Sequence, residues 1–196
     1  MKSSIVLAAG MSTRMGEPKA LLDWGGQPLI CYQVQQLRAA GVDEVIVVLG
    51  FRGDDIHRQM RREDCRVMLN PLYQHGRAGS LRIGAKAVNR DAESITILSV
   101  DQPRPTALIR QIIEAHRPEF IATRPSFEGH HGHPVVLSGS LRPELLAVTE
   151  ENFGLRGILR GRIKEVQEIP STADCLVDFN TPEEYREALA AAFAPA

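Results

Sequence analysis

The residues best suited to chemistry stand near the start of the chain: Leu7-Ala8-Ala9-Gly10-Met11-Ser12-Thr13-Arg14-Met15-Gly16-Glu17-Pro18-Lys19, where Ile5-Val6-Leu7 forms an apolar run. A short apolar run reads as a buried parallel strand. The small residues after it let backbone N–H groups approach an anion, and Arg14 and Lys19 add positive charge. Gly10 and Gly16 leave no Cβ between amide and phosphate and reach backbone angles closed to other residues. Arg14 carries a planar fork able to grip two phosphate oxygens, Lys19 is a mobile point charge, and Pro18 stiffens the approach to it. The chemistry predicted is the cradling of a triphosphate; taken singly, each residue also suits a surface turn with solvated cations. Two better-known nucleotide loops do not fit. Lys19 follows Pro18 and precedes Ala20, unlike the Gly-Lys-Ser/Thr of a P-loop, and no Gly-x-Gly-x-x-Gly is present.

Elements that could hold such a loop follow from periodicity. Apolar runs at Ile5-Val6-Leu7, Val45 to Leu49, Val67-Met68-Leu69, Ile95 to Leu98 and Phe120 to Thr123 read as strands. Between them, Leu29 to Ala40, Asp54 to Arg61, Ser80 to Ala87 and Leu108 to Ala115 carry helical spacing, with Gly41 stopping the first and Pro105-Thr106 opening the last. This alternation predicts a mostly parallel sheet with helices on both faces. After Arg124 it breaks into a strand at Pro134 to Leu137, short helices near Leu141 to Leu146 and Leu155 to Leu159, and strands near Ile163 to Ile169 and Leu176-Val177. Pro182 to Phe193 reads as a closing helix with Thr181 as N-cap and acids in its first turn, and the tail is expected to fray. No linker or repeat divides the chain, so a single domain is expected over 1–196, with a nucleotide-binding half at 1–124 and an elaboration at 125–196.

In an open parallel sheet, ligands gather beyond the carboxyl ends of the strands. Those edges carry Ala8 to Lys19, Gly50 to Gly53, Asn70-Pro71 and Ser99-Val100-Asp101-Gln102-Pro103. A carboxylate at such an edge suits a hard divalent cation shared with substrate phosphates, although Asp101 also suits a simple turn before Pro103.

The string Leu7-Ala8-Ala9-Gly10-x-Ser12-x-Arg14-Met15-Gly16-x-Pro18-Lys19-Ala20-Leu21-Leu22, followed by Gly26-x-Pro28-Leu29, resembles the signature of the nucleotidyltransferases related to molybdenum cofactor cytidylyltransferase and guanylyltransferase. The resemblance implies a Rossmann-like nucleotide-diphospho-sugar transferase-type α/β fold, a three-layer α/β/α arrangement with a mostly parallel sheet. It implies a Mg²⁺-dependent transfer, with Mn²⁺ as an alternative, of a nucleoside monophosphate to the phosphate of molybdopterin, releasing pyrophosphate. Asp101-Gln102-Pro103 is similar to the segment that carries the metal-binding Asp, which makes Arg14, Lys19 and Asp101 the catalytic set. Leu7, Ala8, Ala9, Gly10, Arg14, Lys19 and Asp101 are the expected nucleotide contacts. Gly79-Ser80-Leu81 is similar to the segment that closes over the base; Ser80 also suits a plain helix N-cap, and Asn70 a turn before Pro71. Ala9 matches the cytidylyl form, whereas guanylyl relatives usually carry Gly there, so CTP is the expected substrate.

Two departures from the family pattern matter. Val177-Asp178-Phe179-Asn180-Thr181-Pro182-Glu183 is similar to a family ending that has a second Asp where Asn180 stands. An amide oxygen still ligates Mg²⁺ without adding charge, so Asn180 is the expected second ligand and Asp178 its competitor, while Asn180-Thr181 also suits a helix opening. Asn152-Phe153-Gly154-Leu155-Arg156 stands in place of a Gly-Asp-x-Gly-x-Arg pattern, leaving Arg156 as an acceptor-phosphate candidate or a solvated helix cation. Gly132-His133-Pro134-Val135 is similar to the segment beside the second substrate and marks His133 for the acceptor. The cluster His130, His131, His133 lacks the spacing of a zinc site.

A formal net charge of −1 removes the electrostatic case for a general nucleic-acid binder. Cys31, Cys65 and Cys175 are odd in number and far apart, which predicts reduced, partly buried thiols. With no signal-like or membrane-length apolar run, a cytoplasmic protein is expected, with no membrane partner and with a molybdoenzyme or its chaperone as the recipient the resemblance implies. A nucleotidyltransferase for sugar-phosphate or alcohol-phosphate acceptors, and a non-catalytic cofactor-delivery module, share the first loop and remain alternatives.

Overall fold

The computed structural model describes residues 1–194; the end of the tail for which fraying is expected, 195–196, lies outside the described residues. Strands β1 (Lys2–Ala8), β2 (Glu44–Leu49), β3 (Arg66–Leu69), β4 (Ser94–Ser99), β5 (Ala122–Phe127), β6 (His130–His131), β7 (Val135–Ser138) and β8 (Val166–Pro170) form one sheet in the order β3-β2-β1-β4-β7-β5-β6, with β8 paired to β5. Its first four members run parallel, β1 lying between β2 and β4. The chain leaves β1 toward β2 and β3 and then crosses back to β4 on the other side. The carboxyl ends of β1 and β4 therefore flank a topological switch point, where open α/β sheets bind ligands. β7 enters antiparallel between β4 and β5, so the sheet is mixed and both halves of the chain share it.

Side chains alternate across the strands and feed two apolar layers. Val6, Ala8, Val47, Leu49 and Leu98 pack under α1 (Leu29–Ala39), α2 (Gly53–Gln59) and α4 (Thr106–Ala115), while α7 (Pro182–Ala192) lies against the outside of that layer. Ile5, Ile46, Val48, Ile95 and Ile97 face α3 (Arg77–Ala87), α5 (Arg142–Leu146) and α6 (Gly154–Arg160). The three-layer arrangement predicted from periodicity is thus present. Gly41 ends α1 at φ +90°, a conformation that favours glycine, and Thr181 caps α7 in a reciprocal box with Glu184.

Three local expectations are corrected. Leu176-Val177 is not a strand: Ala173–Leu176 is a 3-10 turn whose Cys175 carbonyl accepts from His133 N–H, so the segment pairs with a loop rather than a sheet edge. Ser80 is not an N-cap, because α3 begins three residues earlier and the Glu150 carboxylate accepts from Ala78 N–H across 72 positions of sequence. Gly10 keeps an ordinary backbone, and Ser12 instead takes the left-handed conformation at φ 52°. The His130-His131 pair occupies a short antiparallel strand after a turn at Glu128-Gly129, where both φ values are positive, and is exposed there. Among the described residues no cluster of His, Cys, Asp and Glu could hold a metal, and no helix is long and apolar enough to cross a membrane. All three thiols are free, and burial pushes Cys31 up to about 12 and Cys65 to about 11, leaving both protonated and unreactive at neutral pH.

Candidate active site

The carboxyl ends of β1 and β4 open into a cleft of about 320 Å³, within the usual size of a small-molecule site. One wall is formed by Leu7, Ala8, Ala9 and Gly10 running on to Arg14, and the other by Tyr73, Gln74, Gly76 and Arg77 with Ser80; Ser99, Val100 and Asp101 come from the end of β4. Met15 N–H donates to Ser12 O at 2.9 Å and Ser12 Oγ accepts from Lys19 N–H at 3.2 Å, so the loop folds back on itself and carries Lys19 beneath the wall. A side chain built on Gly10 would meet no protein atom within 4 Å, whereas one on Gly50 would meet Tyr73 Cβ at 2.6 Å and Ala9 O at 2.7 Å. Gly50 is therefore the glycine that closeness of the two walls demands, and Gly10 keeps the cleft side of the loop bare.

On the cleft floor, Lys19 Nζ donates to Asp101 Oδ2 at 2.7 Å, to the Phe179 carbonyl at 2.7 Å and to Asn180 Oδ1 at 3.0 Å. Lys19 is 8 % exposed, a burial that an ammonium tolerates only with such partners. These three oxygens take up the three N–H donors of the ammonium, and Asp101 Oδ1 stays outside these bonds as a hard carboxylate oxygen of the kind Mg²⁺ or Mn²⁺ takes. Arg14 stands exposed at the cleft mouth.

The structure separates the two candidate ligands near α7. Asn180 lines the cleft, while Asp178 accepts from Gln102 Nε2 at 3.2 Å and from Asn180 Nδ2 at 3.3 Å. Asp178 thereby fixes which end of the Asn180 amide faces Lys19. Phe179 between them is fully buried and stacks on Trp24, centroids 5.9 Å apart and planes 20° apart, anchoring the segment to the body of the protein. Thr181 rather than Asn180 caps α7, which leaves the Asn180 oxygen for the cleft.

Other expected residues fall around this centre. Ser80 lines the cleft, its Oγ accepting from Asn70 Nδ2 at 2.9 Å, and Gly79 lies beside it without lining the cleft. His133 and Arg156 do not line it: His133 is partly buried with its carbonyl against Arg104, and Arg156 is exposed on α6. Burial, reinforced by the cations of Arg104 and Arg77, pulls His133 down to about 4, so its imidazole is neutral at pH 7.

Four contributors escaped the sequence reading. Ser12 supplies the loop's internal bond. Arg77 enters the cleft wall and hydrogen-bonds Ser99 Oγ. Gln33 is 1 % exposed and donates to the carbonyls of Ser99 and Val100, both at 2.9 Å, bracing the chain just before Asp101. Arg104, also 1 % exposed, lies behind the same loop. Gln33 alone left a signal, a polar residue on the apolar stripe of a helix.

The family model described as the MobA-like NTP transferase domain matches residues 4–168. Nicotine blue oxidoreductase of Paenarthrobacter nicotinovorans is 29% identical over 166 residues, covering 81% of this chain and 81% of its own. Molybdenum cofactor cytidylyltransferase of Escherichia coli K12 is 25% identical over 182 residues, covering 92% of each. Among solved structures, Rv0371c of Mycobacterium tuberculosis H37Rv superposes with a TM-score of 0.83 at 28% identity, covering 95% of this chain and 96% of that one. Its complex with manganese superposes at 0.75 and 27% identity, covering 95% and 97%.

Proposed function

Because the chain belongs to the MobA-like NTP transferase family, whose nucleotidyltransferase chemistry it shares, we propose that it transfers CMP from CTP to the terminal phosphate of molybdopterin or of its metal-loaded form. The observation that carries this reading is the meeting of Lys19, Asp101 and Asn180 on the floor of a cleft walled by the small residues Ala8, Ala9 and Gly10. The cytidylyl relative and the Ala9 form of the loop support CTP.

In the proposed reaction an acceptor phosphate oxygen attacks the α-phosphorus of the triphosphate, the bond from that phosphorus to the bridging α–β oxygen breaks, and pyrophosphate departs with the electron pair. A phosphate monoester is already anionic at neutral pH, so no strong general base is required. Catalysis reduces to in-line positioning and charge neutralisation, which explains a site of cations and oxygen ligands without a Ser-His-Asp set. The backbone of Ala8, Ala9 and Gly10 cradles the phosphates, Arg14 at the mouth grips the departing pyrophosphate, and Lys19 neutralises charge near the α-phosphate. Asp101 and Asn180 would hold Mg²⁺ or Mn²⁺, which would supply Lewis-acid polarisation of the phosphate oxygens, and Asp178 orients the Asn180 amide. Ser80, set by Asn70, and the neighbouring Gly79 meet the base. Outside the cleft, His133 and Arg156 serve the acceptor side, the neutral His133 imidazole through hydrogen bonding rather than charge. One domain over 1–196 carries the whole reaction, and its product passes to a molybdoenzyme or its chaperone.

Pyrophosphate release with molybdopterin present, compared across CTP, GTP, ATP and UTP, tests the reading. CTP should give the highest kcat/KM. Release with GTP alone would overturn the nucleotide assignment; release only with a sugar-phosphate or alcohol-phosphate acceptor would overturn the acceptor. Tight CTP binding with no release under any acceptor would favour a delivery module instead, and NAD(P)H-dependent reduction of a dye without pyrophosphate release would favour oxidoreductase chemistry.

A further inference from the structure

Arg104 follows Asp101 by three residues and is among the largest side chains that the fold buries completely. Among the described residues it pairs with no carboxylate. Its Nε donates to the His133 carbonyl at 2.8 Å, Nη1 to the carbonyls of Pro103 at 2.8 Å and Val177 at 2.7 Å, and Nη2 to that of Cys175 at 2.9 Å. Taking a guanidinium out of water costs several kcal/mol. Burial pulls Arg104 down to about 10, which leaves it charged at neutral pH.

What these four bonds join is informative. Pro103 belongs to the loop that presents Asp101, Cys175 and Val177 to the irregular segment that presents Asp178 and Asn180, and His133 to the loop before β7. The segment from Cys175 to Asn180 has no sheet partner. On the cleft side it is bridged to Asp101 by Lys19, whose Nζ donates to Asp101, to the Phe179 carbonyl and to Asn180, and its direct ties to the Asp101 loop are the 3.2 Å bond from Gln102 to Asp178 and a 3.4 Å bond from Phe179 N–H to the Asp101 carbonyl. Arg104 holds the segment from the opposite, interior side with bonds shorter than those two direct ones, and the Cys175 carbonyl it holds also accepts from His133 N–H at 2.9 Å. A planar fork with five N–H donors reaches three separate stretches of main chain at once; a Lys or Gln has fewer donors and a different geometry.

We propose that Arg104 is a positioning residue for the reaction: its guanidinium sets the spacing of Asp101 and Asn180 and ties the acceptor-side His133 loop to that pair. It touches no reacting atom and does not line the cleft. This rests on the nucleotidyltransferase reading above, in which Asp101 and Asn180 hold the divalent cation.

The test uses the full chain and the variants Arg104→Gln and Arg104→Lys. Mn²⁺ binding in the presence of a non-hydrolysable CTP analogue is followed by electron paramagnetic resonance, alongside kcat, the KM for CTP and the thermal midpoint. Loss of a residue that orients metal ligands typically costs about 10–100-fold in metal affinity or activity. Arg104→Gln should therefore raise the Mn²⁺ half-saturation by at least about tenfold and lower kcat, while the KM for CTP stays within about twofold, because Arg104 does not tether the cradle at Ala8 to Arg14. Arg104→Lys should recover part of both losses. A variant that melts earlier yet binds Mn²⁺ and turns over as the parent does would overturn the proposal, and so would a rise in KM for CTP with unchanged Mn²⁺ binding. Should Arg104→Gln fail to fold, Arg104→Lys decides by the same criteria, parental Mn²⁺ binding again overturning it. A parent chain that binds Mn²⁺ and the analogue but never releases pyrophosphate would sink the transfer reaction alone.

Discussion

Lys19 is the residue on which several demands meet, since it is buried, bound to three oxygens and placed under the loop that would hold phosphates. Lys19→Ala should lower kcat by roughly 10²–10³, the usual loss when one preorganised charge-stabilising donor is removed, and steady-state pyrophosphate release measures it. His133 makes a second expectation, about stability rather than turnover. Its pKa is about 4 in the folded protein against about 6.5 in an unfolded chain. The unfolded state therefore binds the extra proton first as pH falls. Stability is unaffected above the unfolded value and declines between about pH 6.5 and 4, by about 1.4 kcal/mol for each unit separating the two values. Denaturant midpoints taken between pH 7 and 4 should show that slope, and His133→Asn should flatten it. Arg14, Lys19 and Asp101 were legible as a set because each belongs to a local motif. Arg104 was not, because nothing in its neighbours says that three carbonyls from distant loops will join that of Pro103 around it.

At the scale of elements, α3 brings Arg77 and Ser80 to the cleft and α7 begins just after Asn180. Gly84 lies where α3 crosses β1, and a Cβ there would come within 2.5 Å of Ile5 Cγ2, a branch of a core side chain with little room to retreat. Gly84→Ala should cost roughly 1–3 kcal/mol from overpacking, less the helix preference of about 1 kcal/mol that Ala brings. Thermal or urea unfolding measures the balance, which should fall on the destabilising side. At α7, Thr181→Ala removes half of a capping box and should cost about 1 kcal/mol. Because the Asn180 and Thr181 amides share the Glu184 carboxylate at 2.6 and 3.2 Å, the same change should also loosen Asn180 and raise the metal requirement. The helix, its start and its cap could all be read from Thr181-Pro182-Glu183-Glu184, since capping is a matter of neighbours. The beginning of α3 could not, because its cap comes from Glu150.

For the molecule as a whole, the cleft draws its parts from both ends of the chain, so ligand binding should stabilise the entire fold. CTP with Mn²⁺ at one hundred times the dissociation constant should add about 2.7 kcal/mol, which for a chain of this length raises Tm by roughly 5–10 °C. A shift with NADH and none with CTP and metal would count against the proposed substrate. By itself the sequence determined the alternation of strands and helices, the glycine-bearing loop after the first strand, the carboxylate after the fourth and the capped final helix. These features arise from periodicity and from bonds between residues a few positions apart. Only the tertiary structure decided that β7 runs antiparallel between β4 and β5, that Asn180 rather than Asp178 faces Lys19, and that Glu150, Gln33 and Arg104 brace the site from afar. Those outcomes depend on which distant main-chain groups a folded side chain can reach, a property of three-dimensional closure that no local pattern encodes.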